Sequence, residues 1–137
     1  MPPLTRWYVR TALLYLFAAL VLGVLRAARV IWQIPGAGVD ALYLHLFMVG
    51  WITQFIFGFA YWMFPVFSRE APRRSPRLGR VVYVLLNGAI LLRALALPVR
   101  SLSEGVDWQW VELLSTALLL VACLLFVVNT WGRVRGR

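Results

Sequence analysis

His45, the only histidine in the chain, is the residue most suited to chemistry, and it lies in a run of apolar and aromatic residues from Asp40 to Pro65. An ionisable side chain inside a run long enough to cross a bilayer is a candidate functional site, because hydrocarbon solvates it poorly. Neutral imidazole binds iron and copper. The alternative is a histidine near the membrane surface that only hydrogen-bonds a neighbouring helix.

Helical spacing places a row of apolar residues on the same face as His45. A porphyrin could lie on such an apolar wall, with His45 as an axial ligand of haem iron. Lipid or another helix could cover it equally well. The residues of this row are Met48, Val49, Ile52, Ile56 and Phe59.

Gly50, Gln54 and Gly58 form a ladder on the neighbouring face of the same helix. Small residues at every fourth position let two helix backbones approach closely, and a glutamine between them can hydrogen-bond across the contact. The ladder therefore predicts a helix-packing surface.

Other reactive centres are excluded by what the chain lacks. One histidine and one cysteine, Cys123, cannot supply the ligands of a zinc site. A lone cysteine also cannot form an internal disulfide, and no phosphate-binding glycine loop or hydrolase motif occurs in a suitable context. We therefore predict no catalytic residue in the isolated chain.

The composition identifies lipid as the solvent for most of the chain. Of 137 residues 62% are hydrophobic, and the mean hydropathy is +0.79. A soluble domain of this size cannot bury so much apolar surface. The net charge of +9 comes from arginines that mostly flank the apolar runs, so it favours a membrane surface over nucleic acid as partner.

The apolar runs predict an all-α integral membrane protein, a single domain over 1–137 with helices at about 11–31, 40–64, 81–97 and 108–131. Asp40 is expected to cap the second helix, and Pro98 to end the third. Short turns favour an up-down bundle. The basic segments before the first helix, between the second and third, and after the fourth predict that both termini are cytoplasmic, in a bacterial or archaeal cytoplasmic membrane.

Four arginines lie on the predicted outer side, against this charge rule, and therefore need an explanation. Arg93 is the most deeply placed of them. They can pair with acidic residues of the same side, extend to the lipid headgroups, or bind the carboxylates of a haem held at the depth of His45. The other three are Arg26, Arg29 and Arg100, and the acidic candidates are Asp40, Glu104, Asp107 and Glu112.

Residues 45–65, HLFMVGWITQFIFGFAYWMFP, followed by a basic loop and by LLNGAILLR at 85–93, resemble the second and third helices of haem–copper oxidase subunit I. That superfamily includes cytochrome oxidases and nitric oxide reductases. The resemblance covers about the middle third of the chain and implies that His45 is a haem ligand. The family's remaining histidines belong to later helices that this chain lacks, so reduction of oxygen or nitric oxide at a binuclear centre is not expected of it.

These observations lead to one functional expectation and one principal alternative. The first is a small membrane protein that binds haem b through His45, with Arg93 and Met48 in the same site, and acts in electron transfer or diatomic gas binding near a respiratory chain. Because one chain supplies one histidine, a second axial imidazole would require a homo-oligomer.

The alternative is a cofactor-free accessory or assembly subunit of a larger respiratory complex, with the glycine ladder as its contact surface. A transporter or channel is disfavoured because no acidic residue lies at mid-membrane depth.

Overall fold

All the secondary structure that the computed structural model describes is helical, and the described residues are 1–31, 37–70, 72–100 and 108–134. The elements in chain order are α1 Pro3–Ile31, α2 Ala37–His45, a π-helical segment Leu46–Thr53, α3 Gln54–Met63, α4 Pro76–Arg100 and α5 Gln109–Val134. The second, third and fourth of these follow one another without a break, and we call them together the composite helix. Within these described ranges, four stretches are long and apolar enough to cross a membrane, which confirms the prediction of an all-helical chain with four such helices: Pro3–Arg29, Val39–Met63, Pro76–Ala96 and Gln109–Val134.

The helices extend beyond their predicted bounds. Helix α1 begins at Pro3 rather than at residue 11, because a proline in the first turn needs no donor and has a helical φ. Helix α4 begins at Pro76 rather than at residue 81, where Ser75 Oγ accepts the Leu78 amide at 3.2 Å as an N-terminal cap. It also continues through Pro98 to Arg100, so the prediction that Pro98 ends it is wrong. A proline so close to a helix end removes one backbone donor and leaves the preceding turns intact.

Asp40 does not cap the composite helix, which begins three residues earlier. Its carboxylate instead accepts from Arg26 Nε at 2.6 Å and from Arg29 Nη2 at 3.0 Å. These two ion pairs join the last turns of α1 to the first turn of α2. Two of the four unexplained arginines thus have an acidic partner.

The four long apolar segments alternate in direction along the bundle. At one end of the bundle, which we call the Tyr61 end, Tyr8 of α1 donates to the Gly79 carbonyl of α4 at 3.2 Å. Tyr15 donates to Asn87 Oδ1 at 2.9 Å further along the same two helices. The opposite end, where Asp40 lies, we call the Asp40 end. Helices α1 and α4 therefore run parallel to each other, and the composite helix is antiparallel to both.

Helix α5 is antiparallel to α4 and packs along it. Ser115 near its start donates to the Ala89 carbonyl at 3.0 Å, and Asn129 near its end accepts the Ser75 amide at 3.3 Å. Phe126 stacks on Phe57 of α3 with ring centroids 3.8 Å apart, which ties α5 to the composite helix.

The buried core is narrow and lies where α1, the composite helix and α4 meet. Its fully buried side chains include Tyr8, Val82, Leu86 and Ile90. Most other large apolar side chains face outward, as expected of helices whose surroundings are themselves apolar.

Candidate functional site

His45 is the last residue of α2 and precedes the π-helical segment. Short π-helical stretches often occur at functional sites, because they widen the helix and change the direction of the following side chains. Here Thr53 Oγ1 donates to the Met48 carbonyl, five residues back, at 2.9 Å. The sequence showed no sign of this segment.

Both ring nitrogens of His45 have a partner within the chain. Nδ1 lies 3.3 Å from the Ala41 carbonyl oxygen, and Nε2 lies 2.7 Å from Arg93 Nη1. A guanidinium only donates, so Nε2 must accept, and Nδ1 must carry the proton that it donates to Ala41. The ring is therefore a neutral imidazole of one defined tautomer.

Arg93 is half-buried in α4 and contacts the composite helix through this histidine. Among the residues that the structure describes, its hydrogen-bond partner is His45, and no carboxylate forms an ion pair with it. Arg26 and Arg29 are paired with Asp40, whereas the side chain of Arg100 and residues Glu104 and Asp107 lie outside the described part of the chain. Arg93 thus brings a positive charge to His45 without an acidic counterpart in the described ranges.

Two residues of the apolar row predicted beside His45 face the outside of the bundle, whereas Val49 packs against the core. Met48 is 51% exposed and Ile56 is 55% exposed. Met48 is one turn from His45 along the helix, and in the described part of the chain the hydrogen bond to His45 Nε2 comes from Arg93. The site is therefore an open surface patch rather than an enclosed cavity.

The residues present fit a haem in part. A metal-bound histidine usually donates its free N–H to a backbone carbonyl, and the bond from His45 Nδ1 to Ala41 has this form. It leaves Nε2 as the nitrogen available to iron, but Arg93 occupies the lone pair of that nitrogen. Iron could bind only after Arg93 has moved away, and a haem on this open surface would need lipid or a second copy of the chain on its far side.

The Gly50–Gln54–Gly58 ladder faces α1 of the same chain. A methyl group at Gly50 would come within 2.8 Å of Tyr15 Cγ, and one at Gly58 within 2.7 Å of Tyr8 Cβ. Gln54 is fully buried, and its amide donates to Thr11 Oγ1. The ladder is therefore a helix-packing surface within the chain, occupied by α1.

Sequence reasoning missed Arg133, which it assigned to the basic tail. The residue lies in the last turns of α5, and only 3% of it is exposed. Its guanidinium donates to the carbonyls of Tyr61 at 3.1 Å, Phe64 at 2.7 Å and Pro65 at 3.0 Å. These carbonyls belong to the end of α3 and the residues after it, which carry the negative end of the helix dipole.

Tyr61 is buried beneath Arg133. The only sequence signal for this arrangement is a basic residue in the last turn of α5, which does not distinguish a buried arginine from an exposed one. Among the described residues, no group of three or more His, Cys, Asp and Glu side chains could hold a metal ion.

Comparisons with protein-family models, with curated proteins and with solved structures found no match to the chain.

Proposed function

We propose that this chain is inserted in a bacterial or archaeal cytoplasmic membrane with both termini inside, and that it binds haem b through His45. The observation that carries the haem proposal is the defined tautomer of His45. Its Nδ1–H is held by the Ala41 carbonyl, which leaves Nε2 as the acceptor nitrogen. An imidazole in this form can become a metal ligand without moving a proton.

Arg93 supports the proposal as the group that would receive the haem carboxylates. It lies next to Nε2 and has no ion pair with a described residue. Its guanidinium can donate two parallel hydrogen bonds to a carboxylate, and these are stronger than the single hydrogen bond to a neutral imidazole. Moving from His45 to a propionate would release Nε2 and neutralise a charge in the apolar region. Bound haem would supply one-electron transfer, or an open position for a diatomic gas.

The test is the reduced-minus-oxidised absorbance spectrum of protein purified from haem-replete cells, for wild type, His45→Ala and Asn87→Ala. The Asn87 variant is the matched control, since it removes a polar group between α1 and α4 without touching His45. We expect a haem band in wild type and in the control, and none in His45→Ala. In a His45→Gly variant, added imidazole should restore the band.

A spectrum without a haem band in wild type would overturn the haem proposal. A band of equal intensity and position in His45→Ala would assign the ligand elsewhere. Carbon monoxide would separate the two roles, since it shifts the band only where the iron has an open position.

A second candidate function rests on the same contacts. Since both nitrogens of His45 are satisfied within the chain, the residue already ties α2 to α4 without a cofactor. This arrangement favours an accessory or assembly subunit of a larger respiratory complex, which would contact it through an outward face rather than through the glycine ladder. Co-migration with that complex on a native gel, unchanged in His45→Ala and without a haem band, would establish this function instead.

A further inference from the structure

A groove of about 420 Å³ lies along one face of α4 near the Tyr61 end. It is lined by Arg77, Arg80, Val81, Val84 and Leu85. These residues recur at intervals of three and four, so they share one side of the helix. Because α4 begins at Pro76, two arginines that the sequence assigned to a loop are fixed on this helical face.

The two arginines at the upper part of this groove are available to a ligand. Both are exposed, and among the described residues neither makes a hydrogen bond or an ion pair. Residues three apart on a helix lie about 5–6 Å from each other at Cβ, so both guanidinium groups can reach a single phosphate. Arginine suits this role because its fork matches two phosphate oxygens.

The groove changes from charged to apolar along the helix axis. From Arg77 to Leu85 the axis rises about 12 Å, from the charged end of the groove into the apolar stretch Pro76–Ala96. Val81 is 44% exposed and Val84 is 65% exposed, so the lower part presents apolar surface to the surroundings, while Leu85 packs partly against the core. A ligand that matches both parts has an anionic head and a hydrocarbon tail.

We propose that this groove is a binding site for an anionic phospholipid. The phosphodiester lies between Arg77 and Arg80, and the start of an acyl chain lies against Val81, Val84 and Leu85. The proposal depends on the chain being in a membrane and not on haem, so each can fail without the other.

Charge complementarity selects a lipid over a second copy of the chain. Another copy would bring its own Arg77 and Arg80, and the exposed surface of this protein is rich in arginine and poor in acid. A phospholipid with a net negative head supplies the missing counter-charge. It also reaches the groove from the bilayer without any rearrangement of the helices.

The experiment is lipid binding measured by native mass spectrometry of the purified full chain. Phosphatidylglycerol and phosphatidylcholine with identical acyl chains are titrated against wild type and an Arg77→Gln/Arg80→Gln variant. Each basic residue near an anionic membrane surface strengthens attraction to that surface about fivefold, and we take the same factor for each groove arginine facing an anionic headgroup. We therefore expect wild type to prefer phosphatidylglycerol by about 25-fold, and the double variant to lose that preference.

Two further variants keep the test specific. Arg6→Gln/Arg69→Gln removes the same charge from exposed positions outside the groove and should retain the preference. Val84→Trp fills the apolar part without changing the charge and should weaken both lipids. If the groove arginines and the control arginines have equal effects, the binding is a general response to charge and the proposal is wrong.

Other outcomes would also overturn it. Unchanged lipid binding in Val84→Trp, or displacement of the lipid by inorganic phosphate, would reduce the site to a phosphate-binding surface. Dimerisation that the groove variants abolish, without lipid selectivity in wild type, would identify a second copy as the occupant. If the double arginine variant does not fold, Val84→Trp and the wild-type preference decide the question.

Discussion

Replacing Gly58 by alanine should destabilise the bundle, whereas the same replacement at Gly88 should not. A Cβ at Gly58 would lie 2.7 Å from Tyr8 Cβ, well inside the distance of about 3.5–4.0 Å at which two carbon atoms attract each other. The obstructing atom is attached directly to the backbone of α1, so a change of side-chain rotamer cannot move it. The two helices must therefore separate locally by about an ångström.

The expected size of the effect follows from two opposed contributions. Overpacking a close contact costs about 1–3 kcal/mol. Alanine in place of glycine inside a helix contributes about 0.5–1 kcal/mol in the other direction, because the unfolded chain loses freedom. At Gly88 a Cβ would meet no atom within 4 Å, so only the second contribution applies there. We expect Gly88→Ala to be neutral or more stable than wild type, and Gly58→Ala to be less stable by about 1–2 kcal/mol.

The assay is unfolding of the purified protein in mixed micelles of increasing sodium dodecyl sulfate content, followed by tryptophan fluorescence. Both variants carry the same chemical change within helices, which makes Gly88→Ala the matched control. Equal midpoints for the two variants would refute the close approach of α1 and α3 at Gly58. A Gly50→Ala variant, whose Cβ would lie 2.9 Å from Tyr15 Cβ, should behave like Gly58→Ala.

Three further substitutions test contacts that hold the helices together. Arg133→Gln removes donors to three carbonyls at the end of α3 and should cost about 1.5–3 kcal/mol, measured as a shift of the same unfolding midpoint. Tyr15→Phe leaves Asn87 Oδ1 without its donor and should cost about 0.6–1 kcal/mol. Phe126→Ala removes the stacking on Phe57 and should cost about 0.5–1.5 kcal/mol for the ring pair, with faster backbone hydrogen exchange in α5.

Each of these substitutions has its own control or contradicting result. Arg69→Gln changes an exposed arginine by the same atoms and should leave the midpoint unchanged. A Tyr15→Phe variant as stable as wild type would show that water or lipid satisfies Asn87 equally well. Unchanged exchange in Phe126→Ala would mean that the ring pair is dispensable, and that the contacts with α4 and the Arg133 hydrogen bonds hold α5 in place.

The helical class and the four long apolar helices follow from local properties of the chain. Apolar runs of about 20 residues separated by prolines, glycines and arginines determine helix number and approximate length, because each helix satisfies its own backbone hydrogen bonds in lipid. The ends were less predictable. Pro3, Pro76 and Pro98 all lie inside helices, since a proline within the first or last turn costs few hydrogen bonds.

The candidate site was also predictable only in part from the sequence. Sequence alone singled out His45 and Arg93, as ionisable residues inside apolar runs, and singled out Gly50, Gln54 and Gly58 by their spacing. That Arg93 lies 2.7 Å from His45 depends on the relative height of α2 and α4, which no local pattern encodes. The π-helical segment after His45 likewise has no signature in residue type.

Arg133 is the clearest example of a side-chain orientation that only the tertiary structure determines. An arginine at the end of an apolar helix can extend to water or turn inward, and the sequence does not distinguish these two orientations. Turning inward is favourable here because the end of α3 presents three carbonyl oxygens within reach, and these replace the hydrogen bonds to water that a buried guanidinium loses. Only the folded chain brings residues about 70 positions apart into that geometry.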